Sequence, residues 1–549
     1  MSPDRNRTVV VGFDALDFRY VDRFIDDLPN FEALRSRGVE APLRSTFPPW
    51  TASAWPSMFT GVDPSHHGVY GFFSYDGYPT DSETVTRNDV DSPALWNYLT
   101  ARDVPTVAMN LPVTYPAEPV TGVVTPGYLA PEDAPGYPES VRDTLSDAIG
   151  EEYRIYARGE TADDPDTQEA GFLDLIDMRR RAAVALLEEY DWRLAVLQVQ
   201  KTDTVFHSID DEAAHGRVYE AADEFLGSVL DTVGDDTNVV VCSDHGMGKT
   251  DGYKIYLNEI LKDAGYVEST SEGSQQSLKA VKPDLVGDGG ASAASDDQLA
   301  ARAVSTASSA MRKLGLSPGK AYVLAERFGP GERIVKRLPD DVREAFRQYV
   351  DWAASTAYCR SGTRMGVRVN LEGRDPDGVV PPDEYEAVRD EIISLLEDLE
   401  TPAGEPAFEF VARREAVYEG PYADAADDIL FRPTGMNHAL STKLYGQAFV
   451  PIDQYNHKWD GVFVGAGPDF DSAASPGTVS LTDVAPVVMS LLGQPVPERM
   501  TGEVPVGLLD GETARDEYSD VAFGARESGG ALDESDDAVT ERLEDLGYL

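Results

Sequence analysis

Three short apolar runs, each followed by an aspartate, constrain this chain more than any other feature. Thr8–Phe13 (TVVVGF) runs straight into Asp14, Leu194–Val199 (LAVLQV) is followed by Asp203, and Asn238–Cys242 (NVVVC) by Asp244. Continuous β-branched runs of this length mark strands buried on both faces. Residues 104–109 (VPTVAM) read as another such strand. Between them, 30–37, 93–102, 138–149, 168–190 and 212–233 carry helical periodicity, the first stopped by Gly38. Strands alternating with helices at these spacings predict an α/β fold, with a mostly parallel central sheet flanked by helices on both faces. Ligands bind outside the carboxyl ends of the strands in such sheets. The three carboxylates are therefore expected to share one crevice.

The pattern breaks at 268–300, which is rich in Ser, Gly, Asp and Ala and reads as a flexible linker. Residues 301–350 look helical. A small strand–helix–strand unit is expected over 366–371, 383–399 and 407–412. The core pattern resumes near Trp459, with a strand at Gly461–Val464 and a helix at 480–492. The expected organisation is a discontinuous core (1–257 and 436–510), an inserted smaller α/β cap region (258–435) and an acidic C-terminal tail (511–549). A single packed helix is expected at 536–546.

Three buried carboxylates without counter-charge repel one another or take up protons. No Arg lies close to any of them in sequence, so the simplest compensation is metal. Histidines fall at suitable spacings. Asp203 and His207 are one helical turn apart, Asp244 and His245 are adjacent at a strand-end turn, and His457 (YNHKWDG) arrives from a distant segment. Mixed Asp/His ligation suits Zn²⁺ first and Mn²⁺ second. Singly, each signal has a bland reading: an Asp after a strand is more often a turn or cap residue, and D-H-G more often a turn. Their joint placement is what points to a metal site. His215 and His438 read as surface or supporting residues, and at least one of His66 and His67 as a residue that fixes a loop.

The stretch Thr46–Gly71 (TFPPWTASAWPSMFTGVDPSHHGVYG) supplies a hydroxyl, Thr51, at the start of an apolar helix. Backbone N–H groups there lack partners and the helix dipole is positive, which favours a phosphate or a developing alkoxide. Two divalent cations would balance three carboxylates and a Thr51 alkoxide before any substrate arrives.

Charge narrows the partners. The 549 residues carry a formal net charge of −50, and only 11 of the 47 basic residues are Lys. That surface reads as halophile-type, screened at molar salt, and offers no nucleic-acid platform. The N-terminus lacks a signal-peptide pattern, and no apolar segment is long enough for a membrane span. With two lone cysteines, Cys242 and Cys359, these features predict a cytoplasmic protein. Cys242 reads as a buried small hydrophobe.

The ordered motifs resemble the alkaline phosphatase superfamily, and within it the type I phosphodiesterase/nucleotide pyrophosphatase family. They are Asp14 after the first strand, T-x5-S-x2-TG-x2-P-x2-HG (Thr51, Ser57, Thr60-Gly61, Pro64, His67-Gly68), Asp203-x3-His207, Asp244-His245-Gly246, His457 with Asp460-Gly461, and a closing S-L-T-D-V-A-P, L-L-G and Met500-Thr501-Gly502. The resemblance implies that Thr51 is the nucleophile. It implies one metal held by Asp14, Thr51, Asp244 and His245, and another by Asp203, His207 and His457. It also implies in-line attack on phosphorus, a phosphothreonine intermediate and hydrolysis of a small anionic phosphoester. One position departs from the pattern. Family members usually carry Asn three residues after the nucleophile to hold a phosphate oxygen, and here it is Ala54. Arg364, Arg368 or Arg374 in the insertion are candidates to reach an anionic substrate. Phosphodiesters or pyrophosphates are the expected substrates, because no Arg pair near Thr51 serves a dianionic monoester. Phosphotransfer, phosphomutase or phosphomonoesterase activity is the alternative. A sulfatase fits less well, since Thr51 is followed by Ala-Ser-Ala-Trp rather than x-P-x-R, and so does a non-catalytic anion-binding protein, since the ligand set is complete.

Overall fold

The computed structural model describes residues 7–75, 77–80, 82–270, 348–509, 513–519 and 521–524. Its centre is an eight-stranded sheet. In spatial order the strands are Val479–Ser480, Val39–Arg44, Asp460–Ala466, Asn238–Cys242, Thr8–Phe13, Leu194–Val199, Thr106–Leu111 and Gly122–Pro126. Asp460–Ala466 runs antiparallel to both neighbours, and every other pairing is parallel. The α/β class and the mostly parallel sheet are as expected.

Alternation along Thr8–Phe13 shows how the sheet is buried. Val10 packs with Trp55, Met58 and the helix Val484–Leu491 on one face. Val9, Val11 and Phe13 pack on the other with Phe172, Leu175, Val218 and Phe225 of the long helices Pro165–Glu189 and Glu212–Val233. Each such side chain contributes about 1.5–3 kcal/mol by leaving water. Gly12 permits one close approach. A Cβ there would stand 2.4 Å from the Trp55 ring, so only glycine lets Trp55 lie against the first strand.

Three sheet strands escape the sequence patterns, one of them the two-residue Val479–Ser480. Val39–Arg44 alternates buried and exposed residues and contains Pro42, and Gly122–Pro126 is short and ends in proline. The segment 480–492 is a 3-10 turn, Leu481–Asp483, followed by the helix Val484–Leu491. Glu268–Thr270, read as the start of the linker, instead forms a strand with Tyr349–Asp351, residues read as helical. Their paired backbones and the β-branched Val350 opposite Ser269 favour the extended form. The remaining residues expected to form the linker, 271–300, those expected to be helical, 301–347, and those expected to form a C-terminal helix, 536–546, lie outside the described residues. Arg515–Asp516, from the acidic tail, pairs in parallel with Val496–Pro497.

The smaller α/β unit carries a four-stranded sheet, Ala357–Tyr358, Gly366–Val369, Ile429–Pro433 and Phe408–Arg413, with the helix Tyr385–Glu397 packed on it. It is tied to both flanks of the Thr51 helix. Tyr418 Oη donates to Phe47 O (2.7 Å), Gly420 N donates to Ser65 Oγ (2.9 Å), and Tyr70 Oη donates to Tyr422 O (2.7 Å). A Cβ on Gly420 would meet Ser65 O at 2.3 Å, so the contact requires glycine. No helix among the described residues is long and apolar enough to cross a membrane.

Candidate metal centre and nucleophile

The register of three adjacent parallel strands brings the carboxylates together. Phe13 lies opposite Val199 and Gly12 opposite Cys242, so Asp14, Asp203 and Asp244 all emerge at one edge. Asp203 sits in the first turn of the helix Lys201–Ser208, with His207 one turn on. His457 arrives by a route that local patterning does not show. Gln454–Lys458 is a strand antiparallel to Gly246–Thr250, with His457 opposite Met247, and the His245 and His457 rings stack at 3.7 Å.

Thr51 is the first residue of the helix Thr51–Thr60, whose initial N–H groups have no intrahelical acceptor. Thr51 Oγ1 lies 3.5 Å from Asp14 Oδ1 and 3.4 Å from His245 Nε2. His245 Nε2 is 3.6 Å from Asp14 Oδ1 and 3.2 Å from Asp244 Oδ2. On the other side, Asp203 Oδ1 is 3.2 Å from His207 Nε2 and 3.5 Å from His457 Nε2. Ligand atoms of Asp203, His207 and His457 lie within 4.8 Å of one another, as do those of Asp14, Asp203 and His245. Asp203 thus borders both groups, whereas the resemblance assigns it to one.

The supporting contacts orient these groups. His245 Nδ1–H donates to Gly246 O (3.1 Å) and His457 Nδ1–H to Pro49 O (3.0 Å), which leaves each Nε2 lone pair facing the carboxylates. Trp55 Nε1 (3.0 Å) and Gln198 Nε2 (3.2 Å) donate to Asp14 Oδ2, and Asn110 Nδ2 steadies Gln198 Oε1 (2.7 Å). Ala15 adopts a left-handed conformation (φ 54°), and its N–H donates to Asp244 Oδ1 (3.2 Å). A non-glycine residue there costs about 1–3 kcal/mol, strain held at the site by the packing around it.

Electrostatics test whether cations fit. Burial, then Asp244 and Asp203, push the Asp14 carboxyl well above the usual range. Burial and Asp203 do the same to Asp244, whose Oδ2 is buried without a hydrogen-bond partner among the described residues. Burial also opposes ionisation of Asp203, but His207 and then His457 hold it well below the usual range. Burial keeps His245 and His457 neutral. Neutral imidazoles beside under-compensated buried carboxylates form a donor set suited to divalent cations.

Other residues have structural duties. Val69 N–H donates to His67 Nδ1 (3.2 Å), so its Nε2–H donates to Ser57 Oγ (2.9 Å), and burial lowers His67 to about 3. His67 therefore fixes the loop after the helix. His215 is buried, not at the surface, where its Nε2–H donates to Ile209 O (2.7 Å) and its ring packs on Phe206. His438 accepts from Tyr253 N (3.1 Å). Both cysteines are buried and free. In the insertion, Arg368 pairs with Asp375 (3.0 Å), and Arg374 grips Asp428 with both Nη atoms (2.6 and 2.8 Å). Neither cation is available to a substrate in this arrangement. Ala54 is fully buried in the helix.

The sequence profile described as type I phosphodiesterase / nucleotide pyrophosphatase matches residues 8–447. The match includes Thr51 and five of the six candidate ligands named beside it, and stops short of His457. No curated protein matches the chain. Among solved structures, phosphonoacetate hydrolase from Sinorhizobium meliloti 1021 in complex with phosphonoformate is similar in fold, with 15% identity, TM-score 0.50, and 89% of this chain and 96% of that chain covered. The same protein in complex with phosphonoacetate gives the same identity and coverage, with TM-score 0.49. The chain belongs to the type I phosphodiesterase/nucleotide pyrophosphatase family, and with it to the phosphoric ester hydrolases of the alkaline phosphatase superfamily.

Proposed function

We propose that this member of the family is a metal-dependent phosphodiesterase or nucleotide pyrophosphatase-like hydrolase with Thr51 as its nucleophile. The observation that carries the reading is the position of Thr51 Oγ1, at a helix N-terminus and 3.4–3.5 Å from His245 and Asp14. Two divalent ions, zinc by preference and manganese as the alternative, fit the donor set. Asp14, Thr51, Asp244 and His245 would hold one, and Asp203, His207 and His457 the other, with Asp203 close enough to serve both. Bound there, the ions supply positive charge that stabilises the entering and leaving oxygens.

The chain's own residues do the rest. Thr51 gives up its proton, its Oγ1 forms a bond to phosphorus, and the bond from phosphorus to the leaving oxygen breaks, that oxygen departing with a proton in place of the one Thr51 lost. Water then attacks the phosphothreonine, the P–Oγ1 bond breaks, and the Thr51 hydroxyl returns with release of phosphate or a phosphomonoester. Trp55 and Gln198 hold the Asp14 carboxylate, and the Pro49 and Gly246 carbonyls hold the two imidazoles in the tautomer that presents Nε2. The acid-rich, Arg-biased composition and the free cysteines support a cytoplasmic, halophile-type protein.

The test is hydrolysis of a bis-aryl phosphate in molar KCl, beside an aryl monophosphate, a nucleotide pyrophosphate and an aryl sulfate. Thr51→Ala is expected to lose on the order of 10⁴-fold or more in kcat while retaining bound metal. Full activity in that variant overturns the assignment.

A further inference from the structure

We infer that Arg364 anchors a second anionic group, a phosphate or carboxylate on the leaving side of the substrate, and so selects substrates that carry one. The inference rests on the phosphoryl-transfer reading of the Thr51 site.

The Thr51 helix (TASAWPSMFT) carries no charged side chain of its own. The insertion carries several arginines, and most are neutralised. Arg360 is paired with Asp427 (2.7 Å), Arg368 with Asp375, and Arg374 and Arg414 with Asp428 (2.6 and 2.8 Å). In the groove between the core and the insertion, Arg19 is paired with Asp17, Arg44 with Asp460 and Arg432 with Glu409, and Lys458 donates to Met436 O and Thr250 Oγ1. Arg364 is different. Its side chain is 8% exposed, its Nε has no hydrogen-bond partner, and no carboxylate pairs with it among the described residues. Burial, and then the neighbouring Arg360, lower its guanidinium to about 10. With Arg360 and Asp427 it leaves one uncompensated positive charge inside a chain of net charge −50.

The guanidinium is held rather than loose. It lies over the Tyr70 ring (5.5 Å to the centroid) and the Tyr75 ring (4.9 Å). Such contacts fix its plane without consuming its donors. Tyr70 belongs to the loop that leaves the Thr51 helix. A Cβ on Gly71 of that loop would sit 3.7 Å from Arg364 Cγ. The turn that carries Arg364 also comes close to His457, one of the candidate ligands. Gly362 and Met365, on either side of it, line one cavity with Trp50 and His457. Met365 takes a left-handed backbone (φ 52°) to make this turn, strain of the kind that persists where function requires it. A planar, pre-oriented guanidinium with unused donors matches a phosphate or carboxylate.

The test is calorimetric and needs no turnover. Metal-loaded full-length protein in molar KCl is titrated with methylenediphosphonate, which carries two anionic groups, and with methylphosphonate, which carries one. Arg364→Gln is expected to weaken methylenediphosphonate binding about tenfold or more and methylphosphonate less than about threefold. Arg364→Lys, which keeps the charge and loses the planar fork, is expected to fall between Gln and wild type, and it serves as the readout if the Gln variant does not fold. Equal losses for both probes, or no loss for either, overturn the role of Arg364. Failure of the wild-type protein to bind methylphosphonate overturns the phosphoryl site itself and the inference with it.

Discussion

Two buried clusters of carboxylates lie in this molecule, and they are neutralised in opposite ways. In the insertion, Asp428 is satisfied by protein: Arg374 and Arg414, the Tyr385 hydroxyl (2.7 Å) and the Val369 N–H (2.8 Å) all converge on it. Burial alone would raise its carboxyl, but these partners, Arg374 first, bring it down to about 2. In the core, Asp14 and Asp244 have a tryptophan, an amide, a backbone N–H and neutral imidazoles around them but no arginine, and their carboxyls are pushed up. The same side chain, equally buried, is a finished structural element in one place and an open valence in the other. A cluster that lacks its own cations is built to receive them.

The sharpest way to break this comparison is to remove Asp203, the carboxylate that both candidate metal-binding groups share. Asp203→Asn is expected to lose about 10³-fold or more in kcat, by analogy with loss of an essential electrostatic group, and to lose bound metal, as read by elemental analysis. The matching change in the insertion, Asp428→Asn, strands two arginines. It is expected to cost about 3–5 kcal/mol of stability in denaturant unfolding while leaving metal content unchanged. If it also strips metal, the two clusters are not independent.

Acid separates the clusters by sign. Asp428 is depressed below its unfolded value of about 3.9, so its contribution is present above pH ~4 and is lost as pH falls towards 2. That contribution is on the order of 2 kcal/mol, read as the shrinking gap between wild type and Asp428→Asn across that window. Asp14 and Asp244 are raised, so in chelated protein their contribution is present below pH ~4 and is lost as pH rises. Divalent cations should restore it at neutral pH, visible as a rise in Tm on metal addition. A smaller effect is expected from Trp55→Phe, which removes one donor to Asp14 and trims the outer ring atoms that lie against Gly12. Metal affinity should fall about 10–100-fold by competition with a chelating dye. The smallest effect belongs to Arg368→Gln, whose KM for a bis-aryl phosphate should stay within about twofold, because Asp375 already occupies that guanidinium.

These contrasts also mark what the sequence could disclose. Asp14, Asp203 and Asp244 were legible because each follows a run whose apolar, β-branched character declares a buried strand, and adjacency in a parallel sheet does the rest. Thr51, His207 and His245 were legible from short spacings that survive folding. His457 was legible as a residue but not as a position: the antiparallel strand that stacks it on His245 joins segments about two hundred residues apart. Val39–Arg44 lay hidden because its outer residues are polar and it contains a proline. Trp55, Gln198 and Asn110 read as ordinary core residues, and only the fold turns their polar ends onto Asp14. The three arginines of the insertion could not be told apart in the sequence. Arg368 and Arg374 find aspartates that are distant or unremarkable in sequence, and Arg364 does not.

The central claim is that the buried aspartates and histidines beside Thr51 hold the cations that make its hydroxyl a nucleophile. Elemental analysis of protein purified in metal-replete molar KCl, assayed in parallel for bis-aryl phosphate hydrolysis, tests it directly. The account predicts about two divalent ions per chain, retained in an inactive Thr51→Ala and lost together with activity in Asp203→Asn. An active protein holding fewer than about one ion per chain would contradict it.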